Sequence, residues 1–339
     1  MDLVRQGIND VRTSWDQYPV FMDELQRLMR IATVDTSLAQ HNDRLKALLS
    51  SHKEWTTPHR QGEEEQYEAI RLYASKLGYQ QIFSVINAAF RSDDLVSDRQ
   101  RLRSAVFLIE LLNIDLFNYR ARHPHADGFH GTVYRGMCVS DEELSLFKRA
   151  VAGPVSERYL AIPLGMVSAS MKRGPAVTFA LRRAGQSRHK HPVIWEIHVE
   201  NLAPELLSFY RERFPHSVVT SLCAVPIDQL SDYPEEKEVL LRGPFFQLVQ
   251  VGVDESAGYR RPVHKIVAVT LNTNRDHLTA IASNEGTDRR MRDLFRAIIG
   301  AHRSNVCADL AEKSGQRDDA QRYRSLAAEN LALVDSFGQ

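Results

Sequence analysis

Three separated stretches carry side chains whose types and spacing could do chemistry. In "VYRG", Arg135 lies in a short β-like run and is followed by Gly136. An arginine there is either a surface or cross-strand ion-pair residue, or a guanidinium clamp for phosphate or carboxylate with a glycine that lets a ligand approach the backbone. In "MVSASMKRGPAVTF", Ser168 and Ser170 are two residues apart and so share one strand face, an arrangement that commonly means no more than edge-strand solvation. In "YPEEKEVLLRG", three carboxylates run into an apolar segment. Side chains alternate faces along a strand, so Glu236 and Glu238 are expected to point to the same side and Lys237 away from it, placing two like charges side by side before an apolar run. The plain alternative is a charged, solvated turn.

Other groupings lead nowhere. His123, His125 and His130 fall in a glycine-containing loop and His189 and His191 flank Lys190, but neither set has a carboxylate or cysteine at zinc-ligand spacing. No glycine-rich phosphate loop precedes a helix, so a Rossmann or P-loop route to a nucleotide has no support, and no serine elbow or catalytic-cysteine signature is present. No metal is expected.

Elements must hold these stretches in place. The first 120 or so residues read as helical, with Ile70, Tyr73, Ala74 and Leu77 on one face of "EEEQYEAIRLYASKLGY" and similar patterns in "QQIFSVINAAFRS" and "RLRSAVFLIELLNIDLF". "RHPHADGFHG" interrupts that texture with Pro124, Gly128 and Gly131. Strand candidates follow: "TVYRGMCV", "IPLGMVSAS", "PVIWEIHVE", "EVLLRG", "PFFQLVQVGV" and "HKIVAVTL". Val193, Trp195, Ile197 and Val199 alternate with Ile194, Glu196, His198 and Glu200, the pattern of a half-buried strand. Helix returns from about Asp276 and stops at Gly315, and a second helix carries Ala320, Tyr323 and Ala327 on one face. That pair resembles one tetratricopeptide-type hairpin, too little for a solenoid, and is expected to pack on the domain or on another chain. The class is α+β: an N-terminal helical lobe, a mainly antiparallel β core and a C-terminal helical hairpin.

The totals are those of a soluble globular protein. The 339 residues are 43% hydrophobic and 25% charged, with 43 Lys plus Arg against 43 Asp plus Glu. A net charge of zero gives no global attraction to nucleic acid or anionic membrane, and neither is expected as a partner. Three scattered cysteines suggest no disulfide framework and fit a reducing compartment. The first residues lack the basic and apolar regions of a signal peptide and no apolar run has membrane-spanning length. The expected location is the cytoplasm, or another cell reached as an effector without a classical signal peptide.

Taken in order, the three stretches resemble the arginine–serine–glutamate class of mono-ADP-ribosyltransferases, in particular arginine-specific members such as vertebrate ecto-transferases and clostridial binary-toxin enzymes. The family pattern is an aromatic-Arg-Gly strand, a Ser-Thr-Ser strand with an alanine and a phenylalanine downstream, and a Glu-x-Glu strand start. Here these are Tyr134-Arg135-Gly136, then Ser168-Ala169-Ser170 with Ala176 and Phe179, then Glu236-Lys237-Glu238. Ala169 departs from the usual threonine. The resemblance spans roughly residues 60–275 and implies a β-sandwich core at 131–275 behind a helical lobe at 60–121, with extensions at 1–59 and 276–339.

The implied activity is cleavage of the nicotinamide–ribose bond of NAD, as co-substrate, and transfer of ADP-ribose to an exposed arginine of a protein acceptor. The chemistry passes through an oxocarbenium-like sugar, for which a nearby carboxylate is expected. By the resemblance, Glu238 contacts the ribose and stabilises the developing positive charge, while Glu236 orients and deprotonates the incoming guanidinium. Arg135 holds the NAD phosphates, Gly136 offers backbone groups to the nicotinamide amide, and Tyr134 and Ser170 complete those two strands' share of the site. Ser168 orients Glu238 and contacts the ribose. Phe179 either stacks on nicotinamide or is simply a core residue. "LRRAGQSRHKHP" occupies the place of a loop over the cofactor, with Arg182 as phosphate contact, and Tyr233 faces the acceptor. An NAD glycohydrolase, with water replacing arginine, and a catalytically idle NAD-binding or interaction module are the competing readings.

Overall fold

The computed structural model describes residues 67–75, scattered positions between 105 and 120, and most of 122–337, with short gaps at 163–164, 186–188, 216, 218, 255–258, 260 and 276–284. The expectations for residues 1–59, for Leu77 and for "QQIFSVINAAFRS" lie outside the described residues. The chain divides into two compact units, one drawn from residues 1–126, 164–166 and 227–238, the other from residues 127–163, 167–226 and 239–339.

In the first unit, helix α1 (Glu68–Tyr73) is buried at most of its described positions: Ala69, Ile70, Leu72 and Tyr73 are buried and Arg71 is exposed. The face expected from periodicity is therefore wider than a single stripe. The Asp115 carboxylate accepts the Ala69 backbone N–H at 2.8 Å, satisfying one of the donors that a helix start leaves open. Ala105, Ile109, Leu112, Leu116 and Tyr119 are buried at alternating four- and three-residue steps, the spacing of one helical face. The same unit includes the turn from Ile227 to Glu238, closed where the Ile227 N–H donates to the Glu238 carbonyl at 2.9 Å.

The second unit is built on strands β1 (Gly131–Ser140), β2 (Tyr159–Ala161), β3 (Met166–Ser170), β4 (Lys190–Glu200), β5 (Val219–Thr220), β6 (Ala224–Pro226), β7 (Glu238–Arg242), β8 (Phe245–Val253), β9 (His264–Leu271) and β10 (Asn274–Arg275). Eight form one sheet in the order β2-β8-β9-β4-β1-β3-β7-β6, while β10 pairs with β5. Where two stacked sheets were expected, the described strands thus run as one large sheet and a two-stranded ribbon. Antiparallel pairing dominates as expected, with β4 and β9 parallel. All six strand candidates are strands; β2, β5, β6 and β10 are short additions.

Alternation along the strands separates two buried faces. Val133 and Val139 of β1, Val167 and Ala169 of β3, Val193, Trp195, Ile197 and Val199 of β4, and Val239 and Leu241 of β7 belong to one cluster. On the opposite side Val249, Val267 and Val269 pack under the C-terminal helices α5 (Glu285–Lys313) and α6 (Arg317–Ser336) through Cys307, Ala308, Ala311, Ala320 and Tyr323. The hairpin therefore packs on the sheet of its own chain. Helix α5 ends where Gly315 adopts φ +76° and the Gln316 N–H reaches back to the Ala311 carbonyl at 2.8 Å, a glycine stop of the kind expected there.

Three further helices belong to the unit among the described residues. Helix α2 (Asp141–Ala152) opens on a capping box: Ser140 Oγ accepts from the Glu143 N–H at 3.2 Å and the Glu143 carboxylate accepts from the Ser140 N–H at 2.7 Å. Helix α3 (Arg173–Gly185) follows the serine strand directly. Helix α4 (Pro204–Arg213) starts on a proline, tolerated there because a first-turn N–H has no helical partner.

Candidate active site

The arginine strand β1 runs between β4 and β3 in the sheet. Arg135 lies opposite Trp195 on β4 and shares its strand face with Val133 and Val139. Arg135 is half-buried, and its Nη1 donates to the Ser168 carbonyl of β3 at 2.6 Å. The arginine and serine stretches, read separately in the sequence, are thus tied by a charge-assisted bond. Tyr134 pairs with Ser170 across the same two strands and with Glu196 on the other side. Desolvation, with the Glu196 charge adding to it, raises the Tyr134 hydroxyl above its ordinary pKa, so it stays neutral near neutral pH.

Ser168 is half-buried and Ser170 is buried, on an internal strand whose alternate residues Val167 and Ala169 face the core. Edge solvation does not explain them. Ser170 Oγ accepts the Lys172 N–H at 2.9 Å, holding the turn into α3.

Two expectations change at Gly136 and beyond. A Cβ at residue 136 would collide with the Ala176 carbonyl oxygen and come within 3.1 Å of the Ala180 nitrogen. The close approach that requires glycine is made by helix α3, so backbone packing alone accounts for Gly136. The segment "LRRAG", expected in a loop, is the end of that helix: Arg182 and Arg183 sit in its last turn, both exposed. The reason is visible in the spacing of Ala176, Val177, Ala180 and Ala184, all buried, which gives the segment an apolar helical face. Phe179 is half-buried, with the Arg183 and Arg182 guanidinium groups 5.3 and 5.8 Å from its ring centre.

The carboxylate motif belongs to the turn of the first unit. Glu236 ends a 3-10 turn, Pro234–Glu236, and Lys237 takes a left-handed conformation at φ +54°; the strand starts only at Glu238. The expectation that Glu236 and Glu238 share a strand face fails for that reason, since two-residue alternation needs extended backbone between them. Lys237 turns away to pair with Asp228 at 2.7 Å. Glu236 and Tyr233 are both half-buried, and the Glu236 N–H donates to the Tyr233 carbonyl at 3.0 Å. Val239, Leu240 and Leu241 are inaccessible and anchor the strand.

Ser231 is the residue that sequence reasoning missed. Its hydroxyl donates to Glu238 Oε2 at 3.0 Å and accepts the Tyr233 N–H at 3.1 Å. The two side chains are seven residues apart and meet only through the turn, so no strand or helix period announces the contact.

Other reactive groups are accounted for. Burial raises the Cys138 thiol, pushes Cys223 up to about 11 and Cys307 up to about 12, so all three stay protonated near neutral pH. His123 bonds the Tyr119 carbonyl at 2.9 Å and His125 the Tyr119 hydroxyl at 3.2 Å, while His191 pairs with Asp141 at 2.6 Å. Among the described residues no group of three or more His, Cys, Asp or Glu could hold a metal ion, and no helix is long and apolar enough to cross a membrane.

No family model matches the chain, and no curated protein does. Solved structures with a similar course include the Vis toxin, an ADP-ribosyltransferase from Vibrio splendidus, at 14% identity over 68% of this chain and 85% of that one, with a TM-score of 0.40. The type III effector XopAI from Xanthomonas axonopodis pv. citri matches at 14% identity over 79% of this chain and 98% of its own, TM-score 0.41. An ADP-ribosyltransferase from Clostridium botulinum matches at 13% identity over 71% of this chain and 98% of its own, TM-score 0.36.

Proposed function

We propose that the chain is an NAD-dependent mono-ADP-ribosyltransferase that modifies arginine side chains of a protein acceptor. The observation that carries this reading lies within the second unit: Arg135 on β1 donates from Nη1 to the Ser168 carbonyl on the neighbouring strand β3 at 2.6 Å, although the two motifs are 33 residues apart in sequence. A scaffold needs no such pairing of a guanidinium with a strand that carries two hydroxyls.

In this reading Arg135 binds the pyrophosphate of NAD, its guanidinium plane set by the bond to the Ser168 carbonyl. Arg182, on the exposed last turn of α3, is a second phosphate ligand, and Phe179 stacks on the nicotinamide. The glycosidic bond between nicotinamide and ribose breaks with its electron pair leaving on nicotinamide. Glu238 then stabilises the positive charge on the sugar. Glu236 takes a proton from the acceptor guanidinium, which is a poor nucleophile while charged, and Tyr233 packs against the acceptor. The catalytic domain spans residues 60–275, flanked by the extensions at 1–59 and 276–339.

The left-handed Lys237 favours a second reading, an NAD glycohydrolase. Because Glu236 does not share the strand face of Glu238, its delivery of an arginine is less strictly set by the backbone than a strand pair would make it. Incubation with NAD separates the cases. Nicotinamide release with label entering agmatine supports the transferase, release without transfer supports the glycohydrolase, and no release overturns both.

A further inference from the structure

We infer that Ser231 is a positioning residue for Glu238, an inference that rests on the proposed reading of Glu238 as the charge-stabilising carboxylate. The hydroxyl has one proton and two acceptors in reach, Glu238 Oε2 at 3.0 Å and the Ala74 carbonyl at 3.4 Å. The shorter contact is to an ionisable oxygen, and charge-assisted bonds are about twice as strong as neutral ones, so the proton goes to Glu238. The Tyr233 N–H meanwhile donates to the same hydroxyl at 3.1 Å. The result is a directed chain from amide to hydroxyl to carboxylate, in which each bond polarises the next.

The rest of the turn is built so that this chain holds its length. Ile227 N–H bonds the Glu238 carbonyl at 2.9 Å, Leu230 N–H bonds the Ile227 carbonyl at 2.9 Å, and Asp232 N–H bonds the Ala74 carbonyl at 3.3 Å. Ser231 therefore sits on a segment fixed at one end to the residue that opens β7 and at the other to the end of helix α1. Lys237, the cation nearest in sequence, is engaged by Asp228. A second consequence follows from the donor. Tyr233 carries the 3-10 turn that ends in Glu236, so one hydroxyl joins the acceptor-facing turn to the carboxylate that steadies the sugar. Ser168 was assigned that orienting task by resemblance; Ser231 shares it or takes it over.

The test is steady-state NAD turnover, followed as nicotinamide release, in Ser231→Ala, Ser231→Val and Ser231→Thr. Threonine keeps the hydroxyl and valine replaces it with a methyl of nearly the same size, so this pair isolates the donor even if the alanine variant folds poorly. Loss of the hydroxyl lets the carboxylate wander, and small misplacements at a reacting centre cost up to about 100-fold. The expected result is a fall in kcat of about 10- to 100-fold in the alanine and valine variants, with the KM for NAD nearly unchanged and most of the rate restored by threonine. Equal rates in the valine variant and the wild type, or equal losses in valine and threonine, overturn the positioning role. A rise in KM alone does so as well. An inert wild type removes the proposed activity and this role together, whereas an active wild type with an unimpaired valine variant removes only the role of Ser231.

Discussion

Gly136 of β1 lies so close to Ala176 of α3 that no side chain fits between them. A Cβ built at residue 136 overlaps the Ala176 carbonyl oxygen, stands 2.8 Å from its carbon and 3.1 Å from the Ala180 nitrogen. All of these are backbone atoms, which cannot swing aside. Gly136→Ala should therefore destabilise the unit by at least the ~1–3 kcal/mol typical of overpacking, seen as a lower urea midpoint. It should also reduce any NAD turnover, since pushing α3 outward shifts the helix that carries Phe179 and Arg182. A wild-type midpoint would show that α3 seats more loosely on β1.

Arg158, which follows the 3-10 turn Val155–Glu157, and Asp319 join that turn to helix α6. Arg158 is 2% exposed; its two terminal nitrogens reach the Asp319 carboxylate at 2.8 and 3.0 Å, and Nε donates to the Gly153 carbonyl at 2.9 Å. Removing only the carboxylate strands a buried charge. Asp319→Ala should cost roughly 3 kcal/mol, the lower end of the usual range because Asp319 keeps 17% exposure. Arg158→Met combined with Asp319→Leu should cost clearly less than Asp319→Ala alone, because no charge is left unpaired. Thermal unfolding of the single and double variants checks the ordering.

How much of this was legible in the sequence differs from element to element. The six longer strands were readable because β-branched and aromatic runs between turn residues have few other outcomes, and Tyr323 was placed correctly because a three-to-four spacing over two turns is hard to mimic. Helix α3 was missed although Ala176, Val177, Ala180 and Ala184 mark its face. Gly174 and Pro175 open it, and both read as turn residues until their place in a first turn is known. Helix α2 carries a full capping-box signature at Ser140–Glu143, directly after the strand candidate that ends at Val139, and no element is expected there from the sequence. Lys237 is a different case. A lysine in left-handed conformation has no sequence signal, because glycine and asparagine are the residues that advertise it. The candidate "EVLLRG" starts where β7 does, and only the strand alternation expected to reach back to Glu236 fails. Ser231 was out of reach for a related reason: its contact with Glu238 is a property of the whole turn.

Two histidines set an acid limit. His264 is buried with Nδ1 unpartnered, and desolvation first, then the neighbouring His191 and Lys148, lower its pKa below the ordinary value of 6.5. His302 is lowered as well, by desolvation, against smaller raising effects from the Asn201 backbone and Glu200. Both groups hold fewer protons folded than unfolded, so stability is complete above about pH 6.5 and falls as the pH drops through the folded values. Urea midpoints should decline between pH 7 and 5. His264→Gln should flatten that decline while costing some stability at pH 7.5. An unchanged slope in the variant would place the acid sensitivity elsewhere.

The two glutamates should separate by reaction. Glu238 is asked to stabilise charge on the sugar, a task common to transfer and hydrolysis, so Glu238→Ala should lower nicotinamide release by about 100-fold or more whether or not an acceptor is present. Glu236 is asked only to prepare the guanidinium. Glu236→Gln should lower label transfer to agmatine by roughly 100- to 10,000-fold and leave NAD hydrolysis within a few-fold of the wild type. The backbone makes this test sharper than a shared strand face would. With Lys237 left-handed, Glu236 belongs to the Pro234–Glu236 turn and Glu238 to the strand, so a change at one need not drag the other. Equal loss of both activities in Glu236→Gln would mean that the turn, rather than the carboxylate, governs the site. Loss confined to transfer would assign Glu236 its proton.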